Sequence, residues 1–422
     1  MRGCDAITRP IEYLSPVDRL LGELVRRWAE QHVLPHRRRF DEDWREHRLI
    51  APAFDELMGK LGLQRVLFPE EHGGWGLGHS AHLGTAAFRI FEEVARADSG
   101  MAVAFGVTFW PLLMICSEPR HNERLCRELA PRFCTTERAC FAANAMTEPQ
   151  GGADIENLDL LRGSTITTSA RLDGDEWVLS GHKLWPTNTG GVGSLFGVVC
   201  TTRPGSSDPD DFAFIFVPAE TPGLTQGPPY EKAGMAADKN GDLWLDEVRV
   251  PRWYRACGPG LDFQRFKEVI AFGNLGSIAF VSGVLLDLFE ILGRFVDSRT
   301  LAGRPLKEHD VAAAVLADVA QSAELVRLVG YQYARMLDRP DLYGARGSEE
   351  IVAKGRLYKS FACDRGIDAL GRALDLMGEL GTDREQDVEK HWRDLKIVQL
   401  WMGGKQLCQM EAARWFFQCR TL

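Results

Sequence analysis

Met146-Thr147-Glu148-Pro149-Gln150-Gly151-Gly152-Ala153-Asp154 stands where one sequence periodicity gives way to another. Upstream, from about Pro16 to Pro131, apolar residues recur at helical spacing, as in Leu20, Leu21, Leu24, Val25 and Trp28, and Pro35 closes that first helix. Downstream, short apolar runs alternate with turn signals: Thr165–Leu172, Trp177–Ser180, Phe196–Cys200, Phe212–Val217 and Asp242–Val250. Asp173-Gly174-Asp175 reads as a hairpin turn, and the polar Pro204–Asp211 stretch as a loop. From about Asp262 the helical period returns in Phe263–Arg299, Glu308–Leu337, Ser348–Leu380 and Ile397–Phe417. The expected fold is α+β multidomain: an N-terminal helical domain (1–140), a central β-barrel (141–260) and a C-terminal four-helix bundle (261–422).

The 422 residues exceed one compact core, and the composition is 45% hydrophobic and 26% charged. A net charge of -9 speaks against a nucleic-acid surface, which needs a basic face. The basic run His36-Arg37-Arg38-Arg39 precedes Asp41, Glu42 and Asp43 and reads as a solvated helix end. No run of about 18–20 uninterrupted apolar residues is expected, hence no membrane span. Acidic residues at Asp5, Glu12, Asp18 and Glu23 argue against a signal peptide. Ten scattered cysteines without a C-x-x-C pair suit reduced thiols in a cytoplasm rather than disulfides or a metal site. The loop Glu71-His72-Gly73-Gly74-Trp75-Gly76 has glycines for a tight turn but lacks the strand-to-helix context of a dinucleotide fingerprint.

Four segments carry a resemblance to acyl-CoA dehydrogenases. Met146–Asp154 resembles the T-E-P-x-A-G-S-D signature that opens that family's β-domain. Gly181-His182-Lys183-Leu184-Trp185-Pro186-Thr187-Asn188 is similar to G-x-K-x-W-I-T/S-N, and Arg299–Leu306 to R-x-x-F-G-x-P-L. Arg393-Asp394-Leu395-Lys396-Ile397 resembles R-D-x-K-I. The resemblance implies FAD as cofactor and a CoA- or carrier-protein-bound acyl thioester as substrate. It also implies electron-transfer flavoprotein or another acceptor, and a homodimer, homotetramer or hetero-oligomer. Trp185 would pack on the flavin ring while the Thr187 hydroxyl donates to the nitrogen that receives hydride. Met146 and Thr147 would face the pyrimidine edge, with Gly152 and Ala153 beside the cofactor. Arg299 would reach the pyrophosphate from a neighbouring subunit, and Gln406 matches a further cofactor-proximal position. Ala153 stands in place of the signature's serine, Ala302 in place of a phenylalanine, and the adenine-clasping turn reads Asp375–Gly381 with carboxylates at Asp375 and Glu379. On residue type alone, Trp185 is a strand aromatic and Arg299 a helix-end charge.

The reaction implied by the resemblance removes an α proton while hydride leaves the β carbon, which needs a carboxylate beside the α carbon. In most relatives that base follows R-D-x-K-I; here the run is Trp401-Met402-Gly403-Gly404. In a minority it lies on the first helix of the bundle, where counting back from Arg299 reaches Gly273 and then Asn274, or Gln264 and Arg265 if the helix carries an insertion. Neither site holds a carboxylate. Three explanations follow: a relocated base (Glu268, Asp262 or Glu379), an elimination of the desulfinase type that needs no base, or a non-catalytic partner subunit. Flavin monooxygenation on the same fold is a further alternative. Phe109, Trp110 and Trp401 would narrow the acyl channel to a short or flat group, although such aromatics also serve as plain core.

Overall fold

The computed structural model describes residues 3, 6–156 and 166–419, the side chains of 153 and 154 excepted. Helix α1 (Pro16–His32) starts on a capping box in which Ser15 and Asp18 satisfy each other's backbone N–H, with Pro16 in the first turn. Helices α2 (Leu83–Ala97) and α3 (Ser99–Cys116) abut at Asp98, whose carboxylate accepts from Met101 N at 2.8 Å and caps α3. Helix α4 (Glu123–Cys134) completes the N-terminal region.

Strands β1 (Phe141–Ala145), β2 (Ser169–Asp173), β3 (Glu176–Lys183), β4 (Gly193–Thr201), β5 (Phe212–Pro218), β6 (Leu224–Gln226) and β7 (Leu243–Pro251) form one curled sheet. Its order is β1-β4-β2-β3-β7-β6, with β5 also on β4. The β2–β3 hairpin closes with Asp173 opposite Glu176 and Gly174 at φ +61°, the left-handed turn expected from Asp-Gly-Asp. The run expected from Thr165 enters its strand only at Ser169, and Thr165 itself lies outside the described residues.

The C-terminal region is built on α5 (Leu261–Ser298), 38 residues long and buried along most of its length. Around it stand α6 (Asp310–Asp338), α7 (Glu349–Met377) and α8 (Val388–Leu400), and α9 (Gly404–Phe417) packs on α7. A helix enclosed on all sides is apolar all round. Polar residues interrupt both α3 and α5, as expected; on average each is long and apolar enough to cross a membrane, yet 94% and 100% of the apolar window is buried inside the protein. One correction concerns Ile397–Phe417, which is two helices, because Met402, Gly403 and Gly404 all take positive φ and break the run. A second concerns the basic run: Arg37 is buried, donating to the Ala97 carbonyl and pairing with Asp287 at 2.8 Å and Asp387 at 2.5 Å.

The segments that carry the resemblance act as locks between these layers. Asn188 Nδ2 donates to the carbonyls of Ala104 on α3 (2.9 Å) and Ala142 on β1 (3.1 Å). Asp394 accepts from Met235 N at 2.6 Å, and Arg393 donates to the Ala233 carbonyl at 2.7 Å, so R-D-x-K-I fastens α8 to the loop ahead of β7.

Candidate functional site

The T-E-P and G-x-K-x-W segments meet through a buried ion pair. Lys183 Nζ lies 2.8 Å from Glu148 Oε1 and donates to the Met146 carbonyl at 3.0 Å. Glu148 also accepts from Thr167 N and Thr168 N. Burial alone would raise the Glu148 carboxyl, but Lys183 and these donors bring it down to about 2. Leu184 N donates to the Thr147 carbonyl at 2.9 Å, and a side chain at Gly152 would begin 3.7 Å from the Thr147 methyl. Met146, Thr147 and Gly152 are thus held beside Lys183 and Leu184, the residues that lead into Trp185 and Thr187. The backbone of Ala153 opens a short 3-10 turn (Ala153–Glu156), and its side chain lies outside the described set.

Trp185 is 46% exposed, although a ring of this size is normally buried. Its φ of +66° is uncommon for a bulky residue, and Asn188 follows at +68°. The Trp185 ring stacks on Tyr230 at 4.1 Å between centroids, and its carbonyl accepts from Asn240 Nδ2 at 2.7 Å. Thr187 is half-buried, its hydroxyl 3.4 Å from Asp238 Oδ2. An exposed aromatic face beside one hydroxyl and backbone polar groups suits a flat ring that is apolar on its faces and hydrogen-bonding at its edge.

The two sequence positions expected to hold a base converge in space. A side chain started at Gly273 would meet Met402 Cε at 2.7 Å, Met402 Sδ at 2.9 Å and Trp110 Cζ2 at 2.9 Å. The Met402 thioether therefore fills the space a helix-borne base would need. Gly273 faces this turn, whereas Gln264 lines a different cleft. Trp401 completes the cluster: its ring packs 5.5 Å from Trp110, and its Nε1 donates to Ser277 Oγ at 3.0 Å. Two buried cations of α7 hold the turn. Lys359 Nζ donates to the Trp401 carbonyl at 2.6 Å and Arg356 Nη1 to the Met402 carbonyl at 2.8 Å. Burial disfavours the charge on Arg356, but Glu156 and Glu411, both ion-paired to it, more than restore it. Sequence reasoning missed Arg356, Lys359, Glu156 and Glu411. The available signal was two cations at i, i+3 on the inward face of a helix expected to pack in a bundle.

Glu156 and Glu411 also line a cleft of about 790 Å³, with Phe263, Gln264, Lys267 and Arg414 among the other walls. Beyond Trp110 lies a small apolar cavity of about 20 Å³, lined by Leu67, Phe91, Phe109, Leu113 and Phe272 among others. None of the three carboxylates expected as relocated bases is free at this turn. Asp262 is fully buried at the start of α5, bound to Arg255 at 2.5 Å and to Cys257 N at 2.8 Å. Glu268 pairs with Arg265 at 2.8 Å, and Glu379 is exposed on the turn Gly378–Thr382. Gln406 is exposed on the first turn of α9, and Asp375 near the end of α7. Arg299, exposed at the end of α5, stands roughly 39 Å along the helix axis from Gly273 at the α-helical rise per residue. Glu71, His72 and Glu123 come close enough to share an ion, but Arg120 already pairs with both carboxylates at 3.4 and 2.9 Å.

Comparison with known proteins finds one family along most of the chain. Three family models match in order: "Acyl-CoA dehydrogenase, N-terminal domain" over residues 15–143, "middle domain" over 143–248 and "C-terminal domain" over 263–416. Short-chain specific acyl-CoA dehydrogenase of Bos taurus is 26% identical over 95% of this chain and 90% of its own length. Cyclohexane-1-carbonyl-CoA dehydrogenase of Geobacter metallireducens is 28% identical over 94% and 96%. The structure of butyryl-CoA dehydrogenase from Megasphaera elsdenii superposes with a TM-score of 0.81 at 22% identity, covering 96% of this chain and 99% of that one.

Proposed function

The chain belongs to the acyl-CoA dehydrogenase family, and from that premise we propose that it is an FAD-dependent oxidoreductase of acyl thioesters whose α-proton acceptor has been displaced from both usual positions. The observation that carries this reading is that the two positions are one place, where a side chain at Gly273 would meet Met402 Sδ at 2.9 Å, and neither residue has a group that takes a proton. FAD would lie against Trp185 and Thr187, with Met146, Thr147, Gly152 and Ala153 along its edge, and it would supply the hydride acceptor. The exposed indole, the half-buried Thr187 beside it and the adjoining backbone support that placement. Arg299 and Gln406 would complete the cofactor site across a subunit contact in a homodimer, homotetramer or hetero-oligomer.

The thioester arm, from CoA or a carrier protein, would occupy the cleft of Lys267 and Arg414. Trp110 and Trp401 close the space beyond Met402, which favours a short or compact acyl group. Glu156 and Glu411 are the candidate displaced acceptors, since Arg356 ties both to the Met402 turn. Because Arg356 also holds both as ion pairs, elimination of a substituent that needs no enzyme base is the second reading. Electron-transfer flavoprotein or another acceptor would reoxidise the flavin.

Anaerobic mixing of the holoprotein with short acyl-CoAs tests the proposal through bleaching of the flavin band. Met402→Glu restores a carboxylate at the usual position and should raise the bleaching rate by about 100-fold or more, the scale of general-base catalysis. Rapid bleaching by the unmodified protein that Glu156→Gln and Glu411→Gln leave unchanged would remove both carboxylates from the role.

A further inference from the structure

Asp238 is only 4% exposed and stands beside the Thr187 hydroxyl. Its Oδ2 accepts from Thr187 Oγ1 at 3.4 Å and from Lys232 Nζ at 3.2 Å, while its Oδ1 has no hydrogen-bond partner. Asn240 Nδ2 donates to Thr187 Oγ1 at 3.5 Å, so one lone pair of that oxygen is already engaged. A hydroxyl has a single proton to donate. Thr187 can direct it to the Asp238 carboxylate or to a ring edge in front of it, but not to both.

Resting on the reading of Trp185 and Thr187 as the flavin face, we propose that Asp238 is a positioning residue that sets the direction of the Thr187 hydroxyl and so decides whether the flavin nitrogen that receives hydride is offered a hydrogen bond. As a carboxylate, Asp238 holds the hydroxyl proton to itself. As a neutral acid it donates its own proton to Thr187 Oγ1, and the hydroxyl proton turns outward. The sequence gives no hint of this arrangement, because Asp238 lies 51 positions from Thr187 and outside the four segments that carry the resemblance.

Burial pushes the Asp238 carboxyl above the ordinary aspartate range, and Lys232 opposes that rise. The other charged groups around it are few. Asp41, Glu231, Arg384 and Arg393 share with Asp238 and Lys232 the walls of a cavity of about 330 Å³. Lys239 points away to the Arg45 carbonyl, and His47 sits on the Ala236 carbonyl at 3.2 Å, where burial and then Lys239 bring its pKa down to about 4.

The test is the visible absorption spectrum of the FAD-loaded protein across pH, which responds to hydrogen bonding at the ring without turnover. The unmodified protein should show one titration of the flavin band. Asp238→Asn should abolish it and hold the low-pH spectrum, since the amide donates to Thr187 as the neutral acid would. Thr187→Val should abolish it and hold the high-pH spectrum. Lys232→Met removes the opposing cation and should move the midpoint upward, a readout available even where Asp238→Asn folds poorly. A titration that persists in Asp238→Asn or Thr187→Val, or an unmoved midpoint in Lys232→Met, overturns the proposal. Protein that refuses FAD altogether overturns the flavin-face reading beneath it, a distinguishable failure.

Discussion

Lys183 and Glu148 lie in two separate segments of sequence and are both shielded from solvent, so each depends on the other for its charge. Removing one partner of such a pair leaves an uncompensated charge in a medium that solvates it poorly. Lys183→Met is expected to destabilise the fold by about 3–5 kcal/mol, read as a fall in the denaturant midpoint. The double variant with Glu148→Gln should recover part of that loss; no recovery would show that the pair is not the source. The Glu148 carboxyl is depressed, so its contribution is present above the ordinary glutamate range and is lost as pH falls through about 2. Acid unfolding of the double variant should accordingly be less steep. Residues of the same two segments therefore serve different ends: Glu148 and Lys183 join the segments, while Trp185 is exposed and Thr187 half-buried beside them. Spacing in sequence could mark all four positions but could not sort them, since burial is a property of what packs over a residue.

Helix α5 packs on α2 at Gly283, where an added Cβ would stand 2.2 Å from the Glu92 carbonyl oxygen and 2.7 Å from Arg96 N. These are backbone atoms and cannot rotate aside. Gly283→Ala should cost about 1–3 kcal/mol, the range for overpacking a core, visible as a lower thermal midpoint; an unchanged midpoint would show that the helices separate freely. Periodicity located α5, α6 and α7 within a few residues because long amphipathic or fully apolar patterns leave a strong signal. It started the last helix at Ile397, missing the first nine residues of α8, and ran on into α9 because apolar spacing continues on both sides of Trp401–Gly404 and hides the left-handed turn between them. It also placed Arg37 in solvent, since the sequence neighbours of a charge do not reveal Asp287 and Asp387 folding over it.

At the scale of the molecule, Arg299 and the Trp185 edge are the two halves of the expected cofactor site, and the length of α5 holds Arg299 far from the Met402 turn. The cofactor should therefore depend on assembly. Arg299→Gln, an exposed change, should leave folding stability within about 0.5 kcal/mol yet weaken FAD retention. Dilution that dissociates the oligomer in sedimentation should release FAD from the unmodified protein. A monomer that keeps one equivalent of FAD would contradict this. The helix–sheet–helix order, the family and the lack of a carboxylate at 402 and 273 were all legible in the sequence, because they depend on residue identity and local period. Only the tertiary structure showed that those two positions are one place in space, with Met402 packed on Gly273 beneath Trp110, and that Arg356 and Lys359 hold the turn from a third helix. It alone also set Asp238 against Thr187. Such contacts join residues tens to hundreds of positions apart, and side-chain packing across elements, which brings them together, leaves no periodic trace in the chain.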